Sequence, residues 1–544
     1  MKLHVATRMV PLCLAALLVA CSKPAEPPVP AAPLAPVLTA APKGQAAQDG
    51  IAWKHVTSDA EVDAAFALAR QEVKPVFVYW GASWCPPCNQ VKSTIFNRLD
   101  FIERSRAFVP VYVDGDSPGA QRLGNRFNVR GYPTMVLFSP QGAELTRLPG
   151  EVDGEQYAQV LTLGMNAQRP VKAVLADVQA GAGRAGVLTP NDWKLLAFYS
   201  WETDEQQLVA KDAVPALLRQ LAEACPADQA QTANRLLLKA LAAVPENSRA
   251  APDATSRDKL QGLLADPGLA RPHLDVLSNN AAAIARALSA PDTPERASLL
   301  QALDGTLQRF TGDTSLSRAD RMAAAIARVD LARIDARRNA AVKLPESLLA
   351  AVREQAARAD REITDGYERQ AVVTAAAYLL ERAGLSEESD ALLKANLAKS
   401  HSPYYLMSAL AGNARNRGQT DEALRWYEQA FDKSVGPATR LQWGASYISA
   451  LIEMAPTDEA RIEKAVQQLF SEAGAQPDAF FERSGRSLQR VGKKLLSWNQ
   501  DGMVAEPFKR LQDQLDAVCR KLDGADPQRQ TCEGLLKPAP GRQL

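Results

Sequence analysis

Two cysteines three positions apart, Cys85 and Cys88, have the spacing best suited to chemistry in this 544-residue chain. Before them, residues 75–80 form an apolar run with the length and the β-branched and aromatic content of a buried strand. After them, residues 91–99 repeat apolar side chains at helical spacing. A C-x-x-C pair between a strand and a helix has its first thiol at the helix N-terminus, where free N–H groups and the helix dipole favour a thiolate. The pattern therefore predicts thiol–disulfide exchange.

A structural zinc site and an ordinary disulfide are the alternative interpretations of this pair. A zinc site needs further ligands, usually a second C-x-x-C or a pair of histidines. The chain has four histidines, each isolated in the sequence, and no second C-x-x-C. A G-x-G-x-x-G at 181–186 lacks the buried strand that a dinucleotide site requires before it, so we predict a linker there. We therefore predict a redox pair that uses no metal and no cofactor.

The sequence around the pair resembles the thioredoxin family over about a fifth of the chain. Trp84 and the C-P-P-C motif after it resemble the family's active site, residues 111–114 its third strand, and residues 127–134 its cis-proline loop. Gly150 falls where the family has a glycine that lines the substrate groove. The similarity is greatest to the periplasmic reductase domains of membrane thiol–disulfide interchange proteins. It implies an α/β thioredoxin-like domain over residues 51–168.

The resemblance also implies a role for each residue of the site. Cys85, the more exposed thiol, would attack a substrate disulfide, and Cys88 would resolve the mixed disulfide. Pro133, cis in the family, would leave the backbone of Tyr132 free to pair with an extended substrate. Trp84 would form a wall of the groove opposite Tyr132. The implied partners are protein thiols and disulfides, together with an upstream electron donor or acceptor.

One position departs from the family's pattern. Six residues before Cys85 the family has a buried acid that helps to deprotonate the resolving thiol, and this chain has Tyr79. A phenol is neutral at neutral pH, so it does not replace that acid. We therefore expect weak reductase activity, slow resolution, or an oxidising or isomerising role.

The first 50 residues predict a signal peptide and a tether. Residues 1–20 combine a basic start with an apolar stretch too short to span a bilayer. Residues 18–21 resemble the bacterial lipobox, whose cysteine, Cys21 in this chain, is lipidated; a cleaved signal with an incidental cysteine is the alternative. Residues 21–50 are rich in proline and alanine, which predicts a tether without a core. The resemblance implies a lipid-anchored periplasmic protein, and the serine after Cys21 indicates the outer membrane.

The rest of the sequence predicts an all-helical region. At 544 residues the chain is too long for one domain, since single cores stop growing near about 250–300 residues. We assign residues 169–190 to a linker, and every long segment from 191 to about 535 has helical periodicity. A formal net charge of +1 gives no electrostatic reason to expect a nucleic-acid partner.

A repeat of 34 residues marks part of this helical region. Gly384 and Gly418 are separated by that interval, and the stretches after them match in residue type. The period resembles that of tetratricopeptide repeats, which we assign to residues 370–472, between plain helices over 191–369 and C-terminal helices with a tail over 473–544. Such arrays form curved surfaces that bind peptides, so we expect partner selection there. A scaffold without a ligand is the alternative.

Three cysteines remain after the signal, the anchor and the redox pair are assigned. Cys519 and Cys532 lie close in sequence on either side of a turn-rich segment, so we predict a structural disulfide between them. Cys225 is then left as a free thiol.

Two functions from different classes follow from these features. The first is a lipid-anchored periplasmic thiol–disulfide oxidoreductase, a reductase or isomerase, whose thioredoxin-like domain precedes an all-α, partly tetratricopeptide-like region. The second is a lipid-anchored helical adaptor whose thioredoxin-like domain mainly binds clients. Intact Cys85, Cys88 and Pro133 favour the enzyme, whereas Tyr79 and the size of the helical region favour the adaptor.

Overall fold

The structure of the protein is a computed structural model that describes residues 50–150, 153–167, 169–180, 188–205, 207–246, 253–336 and 342–537. The predicted signal peptide, the tether, the anchor cysteine Cys21 and the glycine motif at 181–186 lie outside these residues. Within the part that the structure describes, no helix is long and apolar enough to cross a bilayer.

A mixed five-stranded sheet forms the centre of the first domain. Its strands are β1 (Lys54–His55), β2 (Val76–Gly81), β3 (Val109–Asp114), β4 (Thr134–Phe138) and β5 (Glu144–Leu148). They lie in the order β1-β3-β2-β4-β5; β1 and β2 run parallel to β3, while β4 is antiparallel to β2 and β5. Strand β2 is buried along its whole length, as its unbroken apolar sequence predicts for a strand covered on both faces.

Five helices of the described residues belong to the same domain. They are α1 (Asp59–Glu72), α2 (Pro86–Val91), α3 (Leu99–Arg104), α4 (Ala120–Arg126) and α5 (Gly154–Met165); a turn of π-helix, Lys92–Phe96, continues α2. Alternate residues of β2 enter two different apolar clusters, because successive side chains of a strand point to opposite faces. The domain has the expected thioredoxin-like α/β architecture.

After α5 the described residues form helices and no strand, which confirms the predicted all-helical region. The helices are α6 (Val171–Ala180), α7 (Pro190–Phe198), α8 (Val214–Ala224), α9 (Ala230–Ala242), α10 (Ala254–Ala265), α11 (Pro267–Ala270), α12 (Leu274–Leu288), α13 (Pro294–Gly312), α14 (Arg318–Ala332), α15 (Glu346–Glu362), α16 (Gly366–Arg382), α17 (Ser386–Asn396), α18 (Pro403–Asn416), α19 (Thr420–Lys433), α20 (Pro437–Met454), α21 (Glu459–Gly474), α22 (Glu482–Trp498), α23 (Ala505–Cys519) and α24 (Pro527–Gly534).

Helix α6 occupies half of the segment that we predicted as a linker, so that prediction is corrected. Its side chains Val171, Val174, Leu175 and Val178 are buried in one apolar cluster with residues of α7 and α8. Their spacing of i, i+3, i+4 and i+7 is that of one face of a helix. The first domain is therefore joined to the helical region by a packed helix over much of this segment.

Two successive helix pairs carry the 34-residue repeat. Gly384 lies between α16 and α17, and Gly418 lies between α18 and α19, with φ angles of 82° and 72°. Both residues therefore adopt the left-handed conformation that favours glycine after a helix. This explains why glycines recur at the interval; the assignment to tetratricopeptide repeats stays a prediction.

A disulfide joins Cys519, the last residue of α23, to Cys532 in α24. Both cysteines are buried in the C-terminal apolar cluster, whereas Cys225 is a half-buried free thiol. Burial raises the pKa of Cys225 to about 11, so this thiol is a poor nucleophile at neutral pH.

We predict that replacing Cys519 and Cys532 together by alanine lowers the free energy of unfolding by about 2–4 kcal/mol, because the unfolded chain regains the entropy of an open loop. Thermal unfolding measures the effect, and Cys225→Ser, which opens no loop, is the control. Alkylation of both Cys519 and Cys532 in the folded, oxidised protein would contradict the pairing.

Candidate active site

A disulfide joins Cys85 to Cys88 at the start of α2, just after β2 ends. Cys85 is the N-cap residue of the helix, and its Sγ accepts a hydrogen bond of 3.2 Å from the backbone N–H of Cys88. Pro86 and Pro87 have no N–H, so Cys88 supplies the first free donor of the helix. In the reduced form the same N–H and the helix dipole stabilise a thiolate on Cys85.

Sequence reasoning missed Asn89, which fixes the loop before α2. Its buried side-chain amide donates to the carbonyl oxygens of Ser83 at 2.7 Å and of Cys85 at 2.8 Å. The Cys85 oxygen also accepts the backbone N–H of Asn89 at 3.0 Å, so the side-chain amide ties the Ser83 carbonyl to the first turn of α2. An amide side chain directly after the second cysteine is the sequence signal for this role.

The cis-proline loop lies against the redox pair. The peptide bond between Tyr132 and Pro133 is cis, and the carbonyl oxygen of Tyr132 lies 3.6 Å from the Sγ of Cys85. Gly150 borders the proline, because a Cβ at that position would lie 3.3 Å from the Cγ of Pro133. Trp84 and both cysteines lie in one apolar cluster, against which Tyr132 packs. The fold thus brings together the residues that the resemblance assigned to the groove.

Both cysteines are buried, with exposed fractions of 2% for Cys85 and 0% for Cys88. The expected difference between an accessible attacking thiol and a buried resolving thiol is therefore nearly absent. The cover comes from the helical region, whose contributors to the same apolar cluster are Tyr404, Tyr405, Met407, Ala430 and Trp443. Since these residues lie more than 300 positions from the pair in the sequence, motif and periodicity gave no sign of them.

The ring of Trp84 is enclosed by three side chains of the helical region. Tyr405 of α18 stacks on it with ring centroids 6.1 Å apart, and Trp443 of α20 meets it edge-on at 5.1 Å. The guanidinium of Arg483 in α22 lies 4.2 Å from the Trp84 ring centroid and 5.1 Å from that of Tyr132. Such aromatic and cation–π contacts are each worth roughly 0.5–2 kcal/mol when they are shielded from water.

The carboxylate of Asp116 links the first domain to α20. It accepts hydrogen bonds from the indole N–H of Trp84 at 3.1 Å, and from the backbone N–H and the hydroxyl of Thr439 at 2.7 and 2.6 Å. Burial raises the pKa of Asp116, and the hydrogen bonds from Thr439 act in the opposite direction. One acidic side chain therefore holds the active-site tryptophan and the helical region together.

Gln121 in α4 makes a second polar connection. Its backbone N–H donates to Asp478 at 2.9 Å, and its side-chain oxygen accepts from the backbone N–H of Arg483 at 3.0 Å. Its side-chain amide donates to the Tyr132 hydroxyl at 3.1 Å, so the same residue also touches the cis-proline loop.

Two further contacts from the helical region fix the loop that carries Cys85. Gln370 of α16 donates to the carbonyl oxygen of Trp84 at 3.3 Å, and the Nε2 of His401 lies 2.8 Å from the carbonyl oxygen of Ser83. Gln370 belongs to α16, and His401 lies in the segment just before α18. A face of the helical region formed by α16, α18, α20 and α22 thus packs on the chain's own active-site loop.

Tyr79 occupies the position of the family's buried acid and is itself buried, at 1% exposure. Its ring stacks on Tyr112 with centroids 5.2 Å apart, and its hydroxyl has no hydrogen-bond partner. Burial raises the pKa of Tyr79 well above its ordinary value, so the phenol stays protonated at neutral pH. It therefore supplies no base for the resolving thiol. Among the described residues no cluster of three or more histidine, cysteine or acidic side chains forms a metal site.

The part of the chain that carries the redox pair is similar to known proteins. The thioredoxin-like domain family matches residues 62–164. This part of the chain is a thioredoxin-like domain. Over 113 residues it is 33% identical to thiol:disulfide interchange protein DsbD 1 of Pseudomonas aeruginosa, a match that covers 20% of this chain and 19% of that protein.

Two further relatives match the same domain. The thiol:disulfide interchange protein DsbD of Pseudomonas fluorescens is 30% identical over 112 residues, covering 20% of this chain and 19% of that protein. The solution structure of a thioredoxin from Thermus thermophilus shares 27% identity, with coverage of 21% of this chain and 88% of that one and a TM-score of 0.18. The chain spans about a fifth of the length of the curated relatives it matches. The predicted similarity to thiol–disulfide interchange proteins is confirmed for this domain.

We predict that Tyr79→Phe raises the melting temperature slightly, by the equivalent of up to about 1 kcal/mol, because it removes a buried hydroxyl without a partner. At each pH between 6 and 9, Cys88 should resolve a mixed disulfide at the same rate in Tyr79→Phe as in wild type, since this phenol takes no part in proton transfer.

Tyr157→Phe is the matched control, because the Tyr157 hydroxyl is equally buried but lies 3.0 Å from the sulfur of Met135, a weak acceptor. It should lower the melting temperature. Slower resolution in Tyr79→Phe alone would show that Tyr79 serves the chemistry after all.

Proposed function

We propose that this protein is a lipid-anchored periplasmic thiol–disulfide oxidoreductase that acts on protein disulfides through Cys85 and Cys88. The observation that carries the proposal is the position of the pair. It lies at the N-terminus of α2, with the Cys88 N–H on the first sulfur and the carbonyl oxygen of Tyr132 3.6 Å away. The thioredoxin-like domain and its similarity to thiol–disulfide interchange proteins support the same reaction class.

The reaction passes two electrons between the pair and a substrate disulfide. The Cys85 thiolate attacks one substrate sulfur, the substrate S–S bond breaks, and the other substrate sulfur leaves as a thiolate. The Cys88 thiolate then attacks the Cys85 sulfur, which releases the reduced substrate and forms the Cys85–Cys88 disulfide. A dithiol donor must afterwards reduce this disulfide; in an oxidising or isomerising role the same steps run in reverse or in part.

The proposed location rests on the N-terminal sequence. Cys21 at the end of the lipobox-like segment would carry the lipid, and residues 21–50 would let the folded part move away from the outer membrane. The upstream electron donor or acceptor and the protein substrates would then be periplasmic.

Partner selection by the helical region is supported by a groove beside the redox pair. The groove has a volume of about 500 Å³ and is bordered by Pro86, Pro87 and Gln90 of α2. Its other walls come from the helical pairs and are mostly apolar; they include Ala371, Ala375, Leu393, Tyr405 and Ala409. An apolar segment of a partner protein fits the helical walls of this groove.

The adaptor is the second candidate, and the burial of both cysteines favours it. In an adaptor the thioredoxin-like domain would serve as a binding module and the disulfide as a structural link. Loss of Cys85 would then have a mild effect, whereas it would abolish the function of an oxidoreductase.

We predict that Cys88→Ala accumulates mixed disulfides with protein partners through Cys85, because attack is retained and resolution is lost. Non-reducing electrophoresis followed by mass spectrometry identifies the partners. The double variant Cys85→Ser with Cys88→Ala is the control and should trap none. Failure of Cys88→Ala to trap any partner would favour the adaptor over the enzyme.

Ala409→Glu tests partner selection in the same trapping background, because it introduces a charge into the apolar groove. It should change the set of trapped partners. Ala460→Glu, at an exposed alanine of α21, is the matched control and should retain the original set. An unchanged set in Ala409→Glu would show that the groove does not select partners.

A further inference from the structure

The helical region closes the site on which the proposed reaction depends. Thiol–disulfide exchange requires the incoming sulfur to approach along the S–S bond that it breaks, so the attacked sulfur must be reachable. Cys85 is 2% exposed and Cys88 is 0% exposed, and both lie in an apolar cluster shared with α18, α19 and α20. No folded protein can bring a cysteine to either sulfur in this arrangement.

The helical region covers the walls of the substrate groove, Trp84 and Tyr132, as well as the two cysteines. Arg483 lies over the rings of both Trp84 and Tyr132, the two walls of the groove. Tyr405 stacks on the ring of Trp84, and Trp443 meets it edge-on. The surface on which an extended substrate would pair with the cis-proline loop is therefore occupied by the same chain.

Buried hydrogen bonds fix the position of the helical region on the thioredoxin-like domain. Thr439 donates twice to Asp116, and Asp478 accepts from the backbone of Gln121; Thr439, Asp478 and Gln121 are all buried. A partial opening that removed these donors while the carboxylate stayed buried would leave it unsatisfied, whereas full separation would hydrate it. Partial openings are therefore disfavoured relative to the closed and the fully separated arrangements.

We propose that the helical region is a built-in cover that keeps the redox disulfide inactive until its α16, α18, α20 and α22 face separates from the thioredoxin-like domain. The proposal rests on the proposed function and names the regulation of that same site. Separation exposes the sulfur of Cys85 together with Trp84 and Tyr132, so access to the sulfur and access to the substrate groove are gained in one step.

Reduction of the disulfide by a protein dithiol measures this access. The donor thiolate attacks the Cys85 sulfur, the S–S bond breaks, and Cys88 leaves as a thiolate. The second donor thiol, once deprotonated, attacks the mixed disulfide, so the donor is oxidised to a disulfide and Cys85 is released as a thiolate. The pair gains two electrons, and the donor loses two.

The test uses the oxidised full chain and a reduced thioredoxin as the protein dithiol. Tyr405→Ala removes one ring of the cover without altering any residue of the redox motif. It should increase the rate of reduction of the Cys85–Cys88 disulfide at least about tenfold, since it removes both a stacked ring and its packing. Tyr427→Ala is the matched control: Tyr427 is a half-buried tyrosine of α19 that packs against the C-terminal apolar cluster and not around the redox pair, so the rate should stay within about twofold of wild type.

A second variant guards against misfolding of Tyr405→Ala. Thr439→Val removes the hydroxyl that donates to Asp116 and retains the shape of the side chain. It should increase the rate about three- to tenfold, the effect of one hydrogen bond to a buried acid.

Hydrogen exchange of the peptide over residues 82–88 reports exposure of the active-site loop without requiring any redox reaction. It therefore distinguishes an error in the proposed cover from an error in the proposed redox function. Faster exchange and faster reduction in Tyr405→Ala and Thr439→Val would support the cover. Faster exchange without reduction of any variant would support the cover and reject the redox function. Equal exchange and equally fast reduction in wild type and both variants would overturn the cover while leaving the redox function intact.

Discussion

The burial of one tryptophan determines how this protein is organised. Trp84 precedes the first redox cysteine, and its indole N–H donates to Asp116, whose carboxylate also binds Thr439 of α20. Its ring is packed between Tyr405, Trp443 and the guanidinium of Arg483. An indole ring in such a setting buries on the order of 200 Å² of surface, worth several kcal/mol. The active-site loop, the cis-proline loop and helices α18, α20 and α22 all meet at this residue.

This arrangement places opposite demands on one site. The N-terminus of α2, the Cys88 N–H and the adjacent Tyr132 carbonyl prepare Cys85 for exchange with a disulfide. The cover from the helical region removes the same sulfur from solution. A reactive Cys85 and a covered Cys85 are compatible if the helical region can move away. The fold of the thioredoxin-like domain then determines how Cys85 reacts, and the position of the helical region determines when it can react. Tyr79, buried and protonated, gives no sign that the domain is built for fast resolution of the mixed disulfide.

Much of the first domain was predictable, because its signals are local. The apolar run at residues 75–80 predicted β2, the apolar residues after Cys88 predicted the helix there, and residues 111–114 lie in β3 as the resemblance implied. Helix α6 was missed because its buried face consists of only four side chains within ten residues. The cover was not predictable at all. Helical periodicity shows which residues of α18 and α20 face inward, but it does not show that Trp84 is what they face.

The solvent access of the reduced Cys85 thiol tests the central claim most directly. The measurement is the second-order rate of its alkylation by iodoacetamide in the reduced full chain, compared with a free peptide of residues 82–90 at the same thiolate fraction. If closure costs about 3 kcal/mol to reverse, the thiol in the protein should react about 100-fold more slowly than the peptide. A rate within about threefold of the peptide would show that the helical region does not cover the redox pair in solution.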